Sequence, residues 1–194
     1  MYQTQYTKSS KGQSTNAPNP LMCAIVACTG DSRCITNDGH DGSSFRSVTV
    51  DHRPGNAEEM RRLKKYVAQG VVLVERDDPP AGALRLYPGG LAVSRTIGDL
   101  ALSEAAVTQP DVFTVGLKLE NGGNYRFIIA SDGLWDVFDT DAVGVLAARV
   151  KQVEDGTEKV TSAKEAAKEI LDACIKEGGY EDDVTVLVMD ISLR

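Results

Sequence analysis

Short apolar runs separated by turn residues make up most of the chain between residues 21 and 191. Runs of about four to eight residues that are rich in Val, Ile and aromatic residues and bounded by Gly, Asn or Asp are typical of strands. On this pattern the predicted strands are residues 21–27, 34–36, 45–50, 71–74, 91–94, 112–117, 125–130 and 184–191. The chain is therefore predicted to be rich in β-structure.

Three segments carry helix signals instead, each with a capping residue followed by apolar residues at helical spacing. The predicted helices are 56–70, opened by the capping box Asn56 and Glu59; 139–150, capped by Asp139; and 162–177, opened by the capping box Ser162 and Glu165. Strands and helices do not alternate regularly, which argues against a parallel sheet. The pattern favours an α+β fold, an antiparallel β-sandwich with helices on its outer faces.

Length and composition are those of one globular domain. The chain has 194 residues, 42% of them hydrophobic, which is enough for a sizeable core. Residues 1–20 are polar and are predicted to be a disordered lead, and residues 21–192 are assigned to the folded domain.

The charge balance limits the possible partners. A net charge of -7 argues against nucleic acid or an anionic membrane surface as the main partner. There is no apolar run long enough to cross a membrane, and the first 20 residues lack the apolar core of a signal peptide. The four cysteines have no zinc-type spacing and indicate a reducing compartment, so we expect a cytoplasmic or nuclear protein.

Two carboxylates stand at the ends of two predicted strands. Asp132 follows the strand 125–130, and Asp182 precedes the strand 184–191. If these strands are antiparallel neighbours, the two acids converge, and converging carboxylates repel unless they are protonated or bind a cation. Oxygen ligands suit Mg²⁺, Mn²⁺ or Ca²⁺. On spacing alone, the alternative that both acids cap turns remains open.

Four motif blocks occur in a fixed order along the chain. They are residues 30–33 (Gly-Asp-Ser-Arg); 51–54 (Asp-His-Arg-Pro) with Glu58 and Glu59; 90–99 (Gly-Leu-Ala-Val-Ser-Arg-Thr-Ile-Gly-Asp); and 130–136 (Ala-Ser-Asp-Gly-Leu-Trp-Asp), closed by 182–186 (Asp-Asp-Val-Thr-Val). Together they closely resemble the metal-dependent PPM-type protein phosphatases, also called protein phosphatase type 2C. The resemblance covers residues 21–191.

This resemblance implies a PPM phosphatase-like β-sandwich that hydrolyses phosphoserine and phosphothreonine in phosphoprotein substrates with two Mg²⁺ or Mn²⁺ ions. By motif match, Asp132 and Asp182 look like direct metal ligands, and Asp31 resembles the acid that helps hold a third metal in some members. Asp183 stands where the family usually has Asn, which adds negative charge beside Asp182.

Two family elements are not found in the sequence. The family's Asp-Gly-His-Gly-Gly block supplies an acid shared by both metals, and an upstream Arg binds phosphate; neither precedes the first predicted strand. Residues 37–42 resemble that block, but they follow the Gly-Asp-Ser-Arg turn and are interpreted as a hairpin loop. We therefore expect a domain incomplete at its N-terminal side, with weak or no activity alone and no catalytic residue assigned. We expect a monomer unless a partner chain completes the fold.

The sequence leaves two interpretations open besides a metal-dependent phosphatase. A catalytically inactive pseudophosphatase would act as a protein-interaction module, and an unrelated acidic calcium-binding β-domain is a weaker possibility. Trp135 and His52 are interpreted as structural. Arg95 and Asp99 are predicted to form a pair that either positions a metal ligand or is a plain ion pair.

Overall fold

A computed structural model describes residues 22–39, 44–77, 79, 82–99, 105–118, 123–152, 158–177 and 182–192. Within these ranges the strands are β1 Met22–Cys28, β2 Arg33–Asn37, β3 Phe45–Ser47, β4 Leu73–Arg76, β5 Leu84–Tyr87, β6 Asp111–Leu117, β7 Asn124–Ala130, β8 Val150–Gln152, β9 Glu158–Val160 and β10 Val186–Ser192. The helices are α1 Ala57–Ala68, α2 Asp132–Trp135, α3 Thr140–Leu146 and α4 Ala163–Glu177. The predicted lead, residues 1–20, lies outside the described residues.

Two antiparallel sheets form the centre of the fold. One sheet has the strand order β10-β7-β2-β3, and the other pairs β1 with β6. Apolar side chains from both sheets meet in one cluster, which includes Val115 and Leu117 from β6 and Phe127 from β7. The predicted α+β sandwich is therefore confirmed.

Helices cover the other face of the larger sheet. Ile128 from β7 packs in a second core with Leu134 and Trp135 from α2, Val143 from α3 and Ile170 from α4. Because successive side chains of a strand point to opposite faces, Phe127 lies in one core and Ile128 in the other. Strand β7 is thus buried on both faces, which explains its nearly continuous apolar sequence.

A buried arginine ties this strand to its neighbours. Arg126 is fully buried and donates two hydrogen bonds to Asp190 of β10, at 2.7 and 2.8 Å. It also donates to the backbone carbonyls of Ala147, after α3, and Thr161, before α4. Its charge is therefore neutralised while its remaining donors fix the helices against the sheet.

The structure corrects several sequence-based boundaries. Residues 91–94 form only an isolated bridge at Leu91 rather than a strand. Helix α3 ends at Leu146, and the following residues enter the hairpin of β8 and β9, which the pattern did not predict. Residues 40–42 of the predicted hairpin loop lie outside the described residues, and the flanking strands β2 and β3 pair antiparallel, as a hairpin requires. Among the described residues, no helix is long and apolar enough to cross a membrane.

One of the two capping boxes forms as predicted. At α4, Ser162 N–H donates to Glu165 at 2.9 Å, and Glu165 N–H donates back to the Ser162 hydroxyl at 3.2 Å. At α1, Asn56 caps the helix by accepting from Glu58 and Glu59 N–H, but the Glu59 side chain does not return to Asn56. Tertiary partners hold the Glu59 carboxylate instead.

Candidate functional site

The ends of β7 and β10 meet as the sequence predicted. Val186 pairs with Ala130 and Ile191 with Tyr125 in an antiparallel register. Ser131 extends the pairing beyond the strands, because its N–H donates to Thr185 O at 3.1 Å and its hydroxyl accepts from Thr185 N–H at 3.0 Å. The segments that carry Asp132 and Asp182 therefore run side by side at one edge of the sheet.

Gly133 allows this close approach. A Cβ atom at position 133 would lie 2.7 Å from the carbonyl oxygen of Asp183 and 3.2 Å from a methyl group of Val184. The Ser131 hydroxyl also donates to the same Asp183 carbonyl at 3.1 Å. The backbone of the Asp182–Asp183 segment is thus held against the first turn of α2, where Asp132 is the first residue.

The two predicted ligands differ in their local contacts. The Asp182 carboxylate accepts from the N–H of Asp183 at 2.7 Å and is exposed, which matches the turn-capping alternative for this residue. Asp132 makes no capping bond, and its carboxylate faces Arg53 Nη2 at 3.7 Å. One oxygen of Asp182 is therefore occupied by backbone, whereas Asp132 is available for a charged partner.

Three aspartates surround the single guanidinium group of Arg53. Its Nε donates to Asp31 Oδ2 at 2.8 Å, and its Nη2 lies 3.0 Å from Asp136 Oδ1 and 3.7 Å from Asp132 Oδ2. This aspartate cluster, Asp31, Asp132 and Asp136, brings together two of the three predicted metal-binding residues. From the sequence, Asp136 is interpreted as a cap of the turn that presents Asp132 and not as a ligand. Its spacing of four residues after Asp132, about one helical turn, is the signal that could have placed it in the cluster.

Charge and burial act against each other in this cluster. Burial raises the pKa of Asp31 above its ordinary value, and the nearby charge of Asp132 adds to that shift, while Arg53 opposes it. Burial would lower the pKa of Arg53, but Asp31, Asp136 and Asp132 together raise it. Three carboxylates against one guanidinium leave a negative excess at this edge of the sheet.

His52 supports the turn that carries Asp31. The ring is almost fully buried; its Nδ1 accepts from Gly30 N–H at 3.2 Å, and its Nε2 lies 3.1 Å from Asp111 Oδ2. An accepting Nδ1 requires the proton on Nε2, so the neutral ring bridges the two segments. This agrees with a structural role for His52, which holds the Gly-Asp-Ser-Arg turn in place.

The prediction that Arg95 pairs with Asp99 is wrong. Arg95 donates to Glu59 at 2.5 Å through Nη2 and to Asp111 at 2.7 Å through Nη1. Asp99 instead accepts from the hydroxyl of Thr96 at 2.8 Å. The acids that hold Arg95 are far from it in sequence, so local spacing could not identify them.

Whether these residues suit a divalent metal depends on donor type and donor number. The aspartates offer only oxygen donors and are partly exposed, as a hard cation such as Mg²⁺ or Mn²⁺ requires. No group of three or more His, Cys, Asp and Glu within the described ranges has the geometry to hold a metal ion. The donor type therefore suits Mg²⁺ or Mn²⁺, but the described residues do not by themselves form a metal site, and Arg53 is the present counter-charge of the aspartates.

Comparison with known proteins agrees with the motif blocks. Residues 13–183 match the family model "Protein phosphatase 2C". The chain is 36% identical over 167 residues to "Probable protein phosphatase 2C 3" of Oryza sativa subsp. japonica and 38% identical over 159 residues to "Probable protein phosphatase 2C 15" of Arabidopsis thaliana. These matches cover 86% and 81% of this chain. The chain belongs to the protein phosphatase 2C family.

The chain is much shorter than these relatives, since the matches span 31% and 33% of their lengths. Among solved structures, a sex-determining protein of C. elegans matches with a TM-score of 0.64 and 22% identity, over 89% of this chain and 37% of that one. Serine-threonine phosphatase 2C from Toxoplasma gondii matches with a TM-score of 0.62 and 21% identity, over 89% and 55%. These structures support the fold.

Proposed function

We propose that this chain contributes one part of a metal-dependent centre that hydrolyses phosphoserine and phosphothreonine in proteins. The observation that carries the proposal is the antiparallel register of β7 and β10, which puts Asp132 and the Asp182–Asp183 segment at the same sheet edge. The family membership supports the same class of reaction.

Asp132 and Asp182 would be the metal ligands, and Asp31 and Asp136 would add oxygens on the side of Arg53. A bound Mg²⁺ or Mn²⁺ ion would lower the pKa of a coordinated water and offset phosphoryl charge. The protein's own contribution is position: Ser131 and Gly133 hold the Asp183 backbone against α2, and His52 holds the turn of Asp31.

We expect the chain alone to turn over phosphopeptides weakly or not at all. Asp183 adds a negative charge where the family usually has Asn, and the sequence shows no Asp-Gly-His-Gly-Gly block to share between two ions. Without the acid of that block, two cations would face too few carboxylates. A partner chain that supplies the missing ligands would raise the activity.

The state of the cysteines supports the compartment that we propose. All four cysteines are free, and Cys28, Cys34 and Cys174 are buried. Burial raises the pKa of the Cys34 thiol to about 11, so this thiol is protonated and unreactive at neutral pH. These features support the proposed cytoplasmic or nuclear location.

The test measures Mn²⁺ binding and phosphopeptide hydrolysis separately. We expect the chain to bind Mn²⁺, and the variants Asp132→Asn and Asp182→Asn to weaken binding by about tenfold or more. Asp172→Asn is the matched control, because Asp172 is an exposed residue of α4 paired only with Lys168. Unchanged Mn²⁺ affinity in both site variants would refute the metal assignment, and turnover at a normal rate would refute the incomplete centre.

A second candidate function is a pseudophosphatase that binds partners without turnover. It is favoured by the Arg53 guanidinium, whose charge already offsets part of the charge of the aspartate cluster, and by the lack of a three-acid metal group in the described residues. It predicts partner binding without metal-dependent turnover. Mn²⁺-dependent hydrolysis of a phosphopeptide would argue against it.

A further inference from the structure

A cavity of about 210 Å³ lies between the segment that carries Arg53 and the β4–β5 hairpin. Its lining residues are Arg53, Gly55, Arg76, Ala83, Leu84 and Ala92. The volume equals that of roughly seven water molecules at about 30 Å³ each. Two of the described lining residues are arginines and none of them is acidic. Arg53 is shared with the aspartate cluster, so Arg76 supplies the charge at the cavity that no described carboxylate pairs.

Arg53 has donor capacity left beyond the aspartate cluster. A guanidinium has five N–H donors. Nε binds Asp31, and Nη2 faces Asp132 and Asp136, whereas Nη1 has no partner in the part of the chain that the structure describes. Arg53 can therefore serve the aspartates and the cavity together.

Arg76 has fewer polar partners than Arg53 among the described residues. Its Nη1 donates to the carbonyl oxygen of Gly82 at 2.6 Å, which fixes the side chain across the hairpin. Within the described residues it has no carboxylate partner, while Arg85 of the same hairpin is paired with Asp77. The charge of Arg76 is thus held in place at the cavity without being neutralised by a described acid.

We propose that this cavity is an oxyanion subsite for the substrate. It would take a second acidic group of a phosphopeptide, a carboxylate or a second phosphoryl group close to the phosphoserine or phosphothreonine that is hydrolysed. The identity of the substrate rests on the proposed function. A compact oxyanion in the cavity would accept charge-assisted hydrogen bonds from Arg76 and from the remaining Nη1 donor of Arg53.

The cavity adjoins the candidate metal ligands, because Arg53 lines the cavity and also contacts the aspartate cluster. An oxyanion in the cavity would therefore share one guanidinium group with these aspartates. This arrangement favours peptides with an acidic residue close to the phosphorylated one. Peptides with neutral neighbours would leave Arg76 without a counter-charge.

The experiment compares two phosphoserine peptides, one with glutamates beside the phosphoserine and one with alanines. Binding is measured by fluorescence anisotropy with the full chain in EDTA, which prevents turnover, and inorganic phosphate serves as a competitor. We expect the acidic peptide to bind about tenfold more tightly, as one charge-assisted contact would give. Arg76→Ala should abolish this preference, and Arg76→Lys should keep part of it.

Arg61→Ala is the matched control, because Arg61 is an exposed arginine of α1 whose ion pair among the described residues is a 3.9 Å contact with Glu58. It should keep the full preference. Equal binding of both peptides to the unaltered chain, or an undiminished preference in a folded Arg76→Ala chain, would overturn the subsite. If Arg76→Ala does not fold, Arg76→Gln replaces it under the same criterion.

Mn²⁺ binding and hydrolysis by the same samples separate the two proposals. A preference for the acidic peptide together with a Mn²⁺ affinity that Asp132→Asn and Asp182→Asn leave unchanged would refute the metal centre and leave the subsite standing. Hydrolysis with equal binding of the two peptides would refute the subsite and leave the phosphatase function standing.

Discussion

Two arginine–carboxylate clusters in this molecule have opposite stoichiometry. Around Glu59, one carboxylate accepts from two guanidinium groups, Arg62 at 2.9 Å and Arg95 at 2.5 Å, and from the hydroxyl of Ser94 at 2.7 Å. Around Arg53, one guanidinium faces three carboxylates. The first cluster has an excess of donors and the second an excess of negative charge.

The acids of the two clusters also differ in how far their side chains are exposed. The Glu59 side chain is 3% exposed, whereas Asp132 and Asp136 are 35% and 60% exposed. Burial alone would raise the pKa of Glu59, but its bonds to Arg95, Ser94 and Arg62 prevail and lower it to about 2. At Asp31 burial prevails, and the pKa is raised. A buried acid saturated with donors stabilises the fold, while exposed acids in excess are suited to bind a cation.

The strongest test of this contrast is Glu59→Gln. Removing the charge leaves Arg62 without its ion-pair partner and Arg95 with Asp111 alone, so we expect a loss of about 3–5 kcal/mol in the free energy of unfolding. Urea denaturation measures it. Glu58→Gln, one position away and exposed, should change stability by less than about 0.5 kcal/mol. A small effect at Glu59 would mean that the network is not structural.

The pH dependence of unfolding tests the same residue without removing it. Because the pKa of Glu59 falls from 4.5 to about 2 on folding, its contribution is fully present above pH 4.5 and is lost as the pH falls towards about 2. A shift of this size corresponds to roughly 3 kcal/mol. The Glu59→Gln chain should show a correspondingly shallower decline over this range, and parallel declines in the two chains would contradict the assignment.

Arg53→Met tests the other cluster. Without the guanidinium, three aspartates face each other, and we expect a loss of about 1–2 kcal/mol at low salt together with tighter Mn²⁺ binding, by about tenfold. Isothermal titration measures the affinity. Arg61→Met is the control and should leave it unchanged. Weaker Mn²⁺ binding in Arg53→Met would show that the guanidinium supports the site instead of competing for it.

The smallest expected effect is that of Asp31→Asn. An acid whose pKa is raised on folding disfavours the folded state when it is ionised, so stability increases as the pH falls through its folded pKa. Neutralising Asp31 should therefore leave the thermal midpoint at neutral pH unchanged or slightly higher. Asp172→Asn serves as the reference for loss of an exposed aspartate. A clear loss of stability would show that the Asp31–Arg53 ion pair outweighs burial.

The sequence predicted the parts of the site that depend on strand order. The apolar runs 125–130 and 184–191, with an acid at one end of each, indicated neighbouring antiparallel strands, and the register confirms this pairing. The capping box of Ser162 and Glu165 was also predictable, because both partners lie within one helical turn. Such contacts are local, so spacing alone defines them.

The partners of the arginines could not be predicted in the same way. Glu59 has capping-box spacing after Asn56, yet its carboxylate binds Arg95, 36 positions away. Arg53 joins acids from two distant segments, Asp31 and Asp136, and the second of these is interpreted from the sequence only as a cap of the turn that presents Asp132. Long side chains can reach several acids, so their choice depends on how segments are placed in three dimensions.

The amino-acid sequence thus determined the fold class, the family and the sheet edge at which the segments of Asp132 and Asp182 run side by side, because periodicity and turn residues act over short distances along the chain. The tertiary structure decided which carboxylate is saturated by arginines and which acids remain in excess. The physical reason is that the strength of a charge depends on its burial and on its neighbours, and both arise only when distant segments pack together.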